Sequence, residues 1–293
     1  MDAQRLNVAI GPRGLVGLRP WERWLAHAGY VSEGFLYLMV GTFALLATLG
    51  ARRHPSGPQG VLVTLGLTAP GELLLAVVAL GLASYVTWQT LLALRSAEQR
   101  LDGGQGNTRF ARFARVGPLF SAALNSFVVV EALRVLFGAV HRADAEHVQR
   151  RWIARAFDVP LGRYVIGGVG IGIIVYGLFQ GFRAVSAHRD DTVDLSQTRV
   201  RPLLDVLGIY GLLARGVMFA LIGVYLAFAA LRRHAHYAVG VAGALATLQQ
   251  QRPYGNWLLA AVAAGLVAYG FWLIAKEPYR RLGALTRQSR HGR

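Results

Sequence analysis

One structural unit is used three times along this chain. In each copy an anchor glycine is followed by a second glycine at +10, a tyrosine at +14 and an aromatic residue at +17. The anchors are Gly71, Gly162 and Gly255, and each has a proline one or two residues before it. Matches at fixed offsets in three places define an internal repeat, which constrains the fold more than any single motif does.

Each copy contributes two apolar runs long enough to cross a bilayer, for which a helix needs about 20 mainly apolar residues. The chain is 54% hydrophobic and 16% charged, whereas a soluble domain carries about 25% charged residues. The sequence therefore predicts an all-α polytopic membrane protein with six transmembrane helices from three tandem hairpins. The runs cover residues 29–49, 73–94, 116–140, 164–182, 206–231 and 253–275.

The repeats divide the chain into a basic N-terminal segment, three membrane units and a basic tail. The boundaries are 1–23, 24–100, 101–190, 191–277 and 278–293, and the middle unit has diverged most. Each unit begins and ends on the same side of the membrane, so the three are parallel. We expect a pseudo-threefold arrangement with the three first helices as mutual neighbours. The short apolar stretches 60–65, 148–157 and 243–248 are predicted to lie at the membrane surface.

Basic residues indicate the orientation. Of the arginines and lysines outside the spans, 19 fall on the side of the termini and 10 on the other side. The positive-inside rule then places both termini in the cytoplasm. The expected partners are the bilayer and anionic lipid headgroups at the cytoplasmic arginines. The net charge of +16 does not indicate nucleic acid, because no nucleic-acid-binding motif is present.

Four charged residues inside the apolar runs are the main candidates for a functional site, because placing a charged side chain in the bilayer is unfavourable in free energy. Glu131 and Arg134 lie three residues apart and share a helix face. Glu33 and Arg215 occupy equivalent repeat positions with opposite signs. They could form structural pairs that lock helices together, or a charged binding or proton site at the repeat interface.

Small residues and histidines offer further candidates. Seven glycines are candidates for close helix packing: Gly71, Gly81, Gly162, Gly168, Gly172, Gly255 and Gly265. Three outer-loop histidines, His54, His141 and His236, fall near equivalent repeat positions and could bind a zinc-like ion or act as ordinary solvated residues. No catalytic constellation or cofactor motif is present, so we expect no enzyme activity and no cofactor.

The third copy carries the most specific resemblance. Residues 215–219 read Arg-Gly-Val-Met-Phe and residues 253–259 read Pro-Tyr-Gly-Asn-Trp-Leu-Leu. With the threefold repetition, these segments resemble the bacterial family called domain of unknown function 1206, over nearly residues 25–275. The resemblance implies a bacterial inner-membrane protein. It implies no activity, substrate or catalytic residue.

Two functions remain open on this sequence. A non-enzymatic structural or partner-binding subunit fits the sparse polar lining of the apolar runs. A small transporter or channel would use the four intramembrane charges along its pathway. A water-filled cavity reaching Glu33 and Arg215 would favour transport, and a sealed helix interface would favour the structural role.

Overall fold

The structure, a computed structural model, describes residues 20–51, 54–67, 69–101, 109–138, 153–186 and 201–291. These residues form helices joined by turns and short irregular segments, and contain no strand. The helices are α1 (Pro20–Thr48), α2 (Pro58–Leu65), α3 (Ala69–Leu101), α4 (Arg109–Leu136), α5 (Gly162–Ser186), α6 (Arg201–Arg232), α7 (Val241–Gln250) and α8 (Gly255–His291). A 3-10 turn, Ala235–Tyr237, precedes α7.

Prolines and glycines set several helix ends. Pro58 and Pro70 lie in the first turns of α2 and α3, where the missing N–H has no helical partner to lose. Gly50 and Gly138 follow α1 and α4 with φ angles of 76° and 66°. Only a residue without a Cβ adopts that left-handed conformation at little cost, so these glycines end their helices.

Five of the described helices are long and apolar enough to cross a bilayer. Their apolar parts are Trp21–Thr48, Pro70–Leu94, Gly162–Phe182, Pro202–Arg232 and Gly255–Ala275. The sixth predicted span coincides with α4, which is not among the five. Arginines occupy its first turns, and its apolar half holds Glu131 and Arg134. The all-α prediction is confirmed for the described residues, and the sixth span stays a prediction.

The long helices form a chain of packed neighbours in the order α4, α3, α1, α8, α6 and α5. First and second helices of the repeats therefore alternate. The most extensive backbone packing among the described residues is between first and second helices, while the first helices α1 and α6 meet through the side chains of Glu33 and Arg215. The arrangement of the three first helices as mutual neighbours stays a prediction. α4 and α5 show no comparable packing in the part of the chain that the structure describes.

Glycines bring neighbouring repeats together in the same way at two interfaces. Between α1 and α8, a Cβ on Gly34 would lie 2.8 Å from the carbonyl oxygen of Gly270. Between α6 and α5, a Cβ on Gly216 would lie 2.7 Å from the carbonyl oxygen of Gly177. The four positions correspond under the repeat. The two interfaces therefore share one packing geometry, in which backbones touch where a side chain would intrude.

The hairpins of the first and third repeats also close in equivalent ways. Gly29 in α1 lies against the backbone of Tyr85 in α3, and Gly211 in α6 lies against the backbone of Tyr269 in α8. In both cases a Cβ on the glycine would be 2.6 Å from the tyrosine Cα. Each hairpin is antiparallel, and in each the repeat tyrosine lies against a glycine of the first helix.

The short helices α2 and α7 cover one end of the bundle. α2 contacts α1, α3, α4 and α7, while α7 contacts α6 and α8. Leu62 and Leu245, equivalent residues of the two, are fully buried in the main core, which also includes Ile153. The apolar faces of α2 and α7 pack against other helices. The position of these stretches at the membrane surface stays a prediction. Residues 148–152 of the middle stretch lie outside the described residues.

Candidate functional site

Arg215 lies at the centre of the bundle, on α6, with 3% of its surface exposed. Its Nη2 donates to Glu33 Oε1 at 3.0 Å, and its Nε donates to the Tyr37 hydroxyl at 2.9 Å. Its Nη1 donates to the Tyr269 hydroxyl at 2.7 Å. Three helices, α1, α6 and α8, therefore meet on one guanidinium. Because charged hydrogen bonds are stronger than neutral ones, this residue ties those helices together.

Aromatic rings surround the same guanidinium. The Arg215 Cζ lies 5.1 Å from the ring centroid of Tyr37, 5.2 Å from that of Phe219 and 4.9 Å from that of Tyr269. A cation within about 6 Å of an aromatic centroid is attracted by the ring quadrupole, most strongly where water is excluded. Arg215 thus has charge stabilisation that does not come from Glu33.

Glu33 uses one carboxylate oxygen for the pair and leaves the other unpaired. Its Oε1 accepts from Arg215, whereas its Oε2 is buried without a hydrogen-bond partner among the described residues. The strong form of an arginine–carboxylate pair is bidentate, with two parallel hydrogen bonds. The pair here has a single hydrogen bond, while Nε and Nη1 of the arginine donate to tyrosine hydroxyls. The residue is 0% exposed, so bulk water does not satisfy Oε2.

The three repeat tyrosines converge on this centre. Tyr269 binds Arg215 directly, and Tyr176 and Tyr85 are electrostatic neighbours of Arg215 and Glu33 respectively. In the first two repeats a glutamine four residues later donates to the tyrosine hydroxyl: Gln89 to Tyr85 at 2.7 Å and Gln180 to Tyr176 at 3.3 Å. The third repeat has Leu273 at that position, and there Arg215 supplies the donor instead.

Equivalent positions of the first helices complete the centre. The shifts of 182 and 88 residues that align the repeats place Glu33 on Arg215 and on Ser121. Ser121 Oγ lies 3.2 Å from the Tyr85 hydroxyl, and Asn125 Nδ2 donates to the Ser121 carbonyl at 2.9 Å. The buried centre therefore combines a negative, a neutral and a positive residue from three equivalent positions. Its interior is polar and tightly hydrogen-bonded.

Comparison with known proteins agrees with the repeat. The profile described as Domain of Unknown Function (DUF1206) matches residues 28–96, 116–187 and 210–276, which is more than half of the chain. The chain belongs to the DUF1206 family. It is similar to "Uncharacterized protein YxxB" of Bacillus subtilis (strain 168), with 32% identity over 267 residues, covering 90% of this chain and 93% of that protein. No solved structure matches it.

The DUF1206 segments contain every residue of the buried centre. The first holds Glu33, Tyr37 and Tyr85, the second holds Ser121 and Tyr176, and the third holds Arg215 and Tyr269. The predicted resemblance to this family is confirmed. The centre is thus built from DUF1206 repeats and not from the segments that join them.

A second ion pair lies within α4 of the DUF1206 chain. Arg134 Nη1 lies 3.2 Å from Glu131 Oε1, and the arginine side chain is 34% exposed while the glutamate is buried. The two residues are three positions apart on one helix face, as the sequence indicates. Both residues lie on one helix. The pair therefore lowers the free-energy cost of burying the glutamate charge, but it does not join α4 to another element.

The predicted packing glycines take different places in the DUF1206 fold. Gly81 and Gly265, equivalent under the repeat, lie against Ser32 and Ala214 of the preceding first helices. The anchors Gly162 and Gly255 lie against carbonyl oxygens six residues earlier, at the turn into the second helix. Around Gly168 there is open space. Gly71 is buried and Gly172 is half-buried.

The structure describes two of the three candidate metal ligands. His54 and His236 are exposed, and His141 lies outside the described residues. Within the described part of the chain, no three histidine, aspartate or glutamate side chains are placed to hold a metal ion.

The sequence reasoning missed two parts of the centre. It used the +14 tyrosines as repeat markers and assigned them no role. It also did not include Ser121 among the candidate site residues. Applying the 88-residue shift to Glu33 points directly to Ser121.

Proposed function

We propose that this chain is a six-span bacterial inner-membrane protein with both termini in the cytoplasm and a non-enzymatic role as a structural or partner-binding subunit. The sixth span is α4, whose 28 residues make a helix about 42 Å long. It lies beside α3, a candidate span. An even number of spans returns the chain to its starting side, which agrees with the excess of basic residues near both termini.

Aromatic residues support the placement in the bilayer. Trp21 and Trp24 are exposed at the start of α1, and Tyr254 and Trp257 are exposed at the start of α8. α1 and α8 are antiparallel, because Gly34 contacts Gly270 while Gly41 contacts Ala263. The two aromatic groups therefore lie at opposite ends of the bundle, where interfacial tryptophan and tyrosine are enriched. The cytoplasmic arginines would face anionic headgroups.

The two equivalent interfaces support a pseudo-threefold arrangement. Rotation by one repeat takes the α1–α8 contact to the α6–α5 contact. The same rotation takes α6–α5 to α4–α3, which also packs. The link between α4 and α5 would complete the ring. Position 120, equivalent to Ser32 and Ala214, is phenylalanine in the middle repeat.

One observation carries the structural role: the polar centre is sealed. Glu33 and Arg215 are buried, and each hydrogen bond of the guanidinium goes to a side chain of a different residue. α2 and α7 cover the outer end of the bundle with apolar side chains. A buried charge that is fully tied to neighbouring helices is suited to holding them in one arrangement.

The test is flux through vesicles that contain the purified protein. For a structural subunit we expect tracer ions and small solutes to cross no faster than in protein-free vesicles. An Arg215→Ala variant should show the same background. Protein-dependent flux that disappears in Arg215→Ala would overturn the structural role.

A small transporter or channel is the second candidate, and the unpaired Oε2 of Glu33 favours it. The pathway would pass Glu33, Arg215, Glu131 and Arg134. The chain contains no cysteine, so a single Ser121→Cys substitution can report access to the centre. A transporter predicts labelling of Cys at position 121 by a membrane-impermeant thiol reagent from one side. A sealed centre predicts none, while His236→Cys, on an exposed loop residue, is labelled in both cases.

A further inference from the structure

The hydrogen bonding between Glu33 and Arg215 differs from that of a pair whose only role is to neutralise charge. A guanidinium that served only to neutralise the carboxylate would bind both of its oxygens, which is the stronger geometry. Arg215 instead directs Nε and Nη1 to Tyr37 and Tyr269, and Glu33 Oε2 is left buried without a partner among the described residues. A carboxylate oxygen can only accept, so whatever satisfies Oε2 must bring a proton to it.

Apart from the Tyr85 hydroxyl, which faces the carboxylate from α3, a group that satisfies Oε2 must be small and must tolerate Arg215. The site is closed to bulk water, since Glu33 is 0% exposed. A metal cation would be repelled by the guanidinium that lies 3.0 Å from Oε1. A proton meets both conditions, either bound to the carboxylate or delivered by a single buried water.

Arg215 is held in a way that does not require an ionised Glu33. Two tyrosine hydroxyls accept from it, and the rings of Tyr37, Phe219 and Tyr269 surround its Cζ. Ring faces stabilise a desolvated cation without carrying a charge themselves. The guanidinium therefore keeps most of its contacts when the carboxylate becomes neutral. Glu131 and Arg134 have no such arrangement, because Arg134 reaches the surface.

We propose that Glu33 is a proton-binding site in the membrane interior. Oε2 takes up one proton, the carboxylate becomes a neutral acid, and the net charge of the pair changes from zero to +1 on Arg215. The neutral acid then donates toward Tyr85, the tyrosine that faces the carboxylate from α3. The hydroxyl of Tyr85 lies 3.2 Å from Ser121 Oγ. A hydrogen-bonded chain therefore leads from Glu33 to α4.

The charged and titratable groups around Glu33 belong to several helices, and each has a defined part. Arg215 on α6 is the counter-ion. The remaining groups are tyrosines, which stay neutral over the range in which a carboxylate titrates: Tyr37 on α1, Tyr85 on α3, Tyr176 on α5 and Tyr269 on α8. A proton taken up in this cluster therefore goes to Glu33.

The inference goes beyond the structural role and does not depend on flux. Infrared difference spectra of the protein in lipid, recorded between neutral and acidic pH, detect the carbonyl stretch of a protonated carboxylic acid. We expect such a band in the wild type, its loss in Glu33→Gln and its retention in Glu131→Gln. Glu33→Asp should keep the band at a shifted frequency, which covers the case in which Glu33→Gln does not fold.

A wild-type spectrum without the band at any pH at which the protein stays folded would overturn the proposal. A band unaffected by both Glu33 substitutions would do the same. Proton flux in vesicles is measured separately. A Glu33-dependent band without flux retains the proton site and removes the transport candidate, whereas flux without the band assigns transport to other residues.

Discussion

Gly216 of α6 and Gly177 of α5 face each other so closely that a Cβ on Gly216 would lie 2.7 Å from the Gly177 carbonyl oxygen. Because the obstacle is backbone, it cannot move aside as the end of a side chain could. The contact recurs between Gly34 and Gly270, so the same close approach sets the distance between helices at two repeat interfaces.

Gly216→Ala should therefore destabilise the bundle. Forcing a methyl group into a filled interface costs about 1–3 kcal/mol, which should lower the thermal midpoint of the purified protein. Gly168→Ala is the matched control, since its Cβ would meet open space and alanine favours helix by up to about 1 kcal/mol. Equal midpoints for the two variants would show that the close approach does not stabilise the fold.

The charges of the central pair should be exchangeable only together. Glu33→Arg or Arg215→Glu alone places two like charges in the buried centre, and we expect a loss of about 3–5 kcal/mol and a low folded yield. The double variant restores one positive and one negative charge and should recover part of the yield in size-exclusion chromatography. If the double variant is no better than either single one, the two residues are not coupled.

The Tyr269 hydroxyl should contribute measurably, because it accepts from a buried cation at 2.7 Å. Tyr269→Phe keeps the ring and removes this acceptor, so we expect a cost of about 1.5–3 kcal/mol. Tyr254→Phe, on an exposed residue of the same repeat, should change stability by less than about 0.5 kcal/mol. Chemical unfolding of both variants in the same detergent makes the comparison, and a neutral Tyr269→Phe would contradict the network.

The short helices should behave as core and not as surface. Leu62 and Leu245 are fully buried, whereas Leu67, just after α2, is exposed. Leu62→Ala or Leu245→Ala should lower the free energy of unfolding by about 2–5 kcal/mol, whereas Leu67→Ala should change it little. Thermal unfolding in detergent distinguishes them. Equal effects of Leu62→Ala and Leu67→Ala would mean that α2 lies in the interface after all.

Reporter fusions test the orientation. We expect reporters fused after Arg100 and Arg189 to report the cytoplasm, and those fused after Pro55 and His236 to report the outer side. The physical reason is the excess of basic residues in the segments on the side of the termini. An outer-side signal at position 189 would contradict both the orientation and the parallel repeats.

Much of the arrangement could be predicted from spacing, because lipid restricts what a spanning chain can do. Helices, hairpins and the meeting of Glu33 with Arg215 follow from apolar length and from equivalence under the repeat. What spacing does not contain is the order of neighbours around the bundle. That order depends on where Gly34 and Gly216 allow two helix backbones to come into contact. A hydropathy scale does not show which glycines make such contacts.

The short helices show a second limit. Residues 60–65 and 243–248 have the length and apolarity of interfacial helices, and either lipid headgroups or protein could cover such a face. Which one does is decided by helices far away in sequence: α2 contacts α7. The tyrosines at +14 show the same problem. Tyr85, Tyr176 and Tyr269 stand out as a pattern, yet their common centre exists only in three dimensions.

The distance along the chain between Glu33 and Arg215, 182 residues, has a consequence for biogenesis. The ribosome makes about 5–20 residues per second, so the carboxylate is synthesised roughly 10–40 seconds before its counter-ion. During that interval α1 also lacks α8, the helix that packs against it and emerges last. Until α6 and α8 have been made, the Glu33 carboxylate therefore lacks both its counter-ion and the helix that packs beside it.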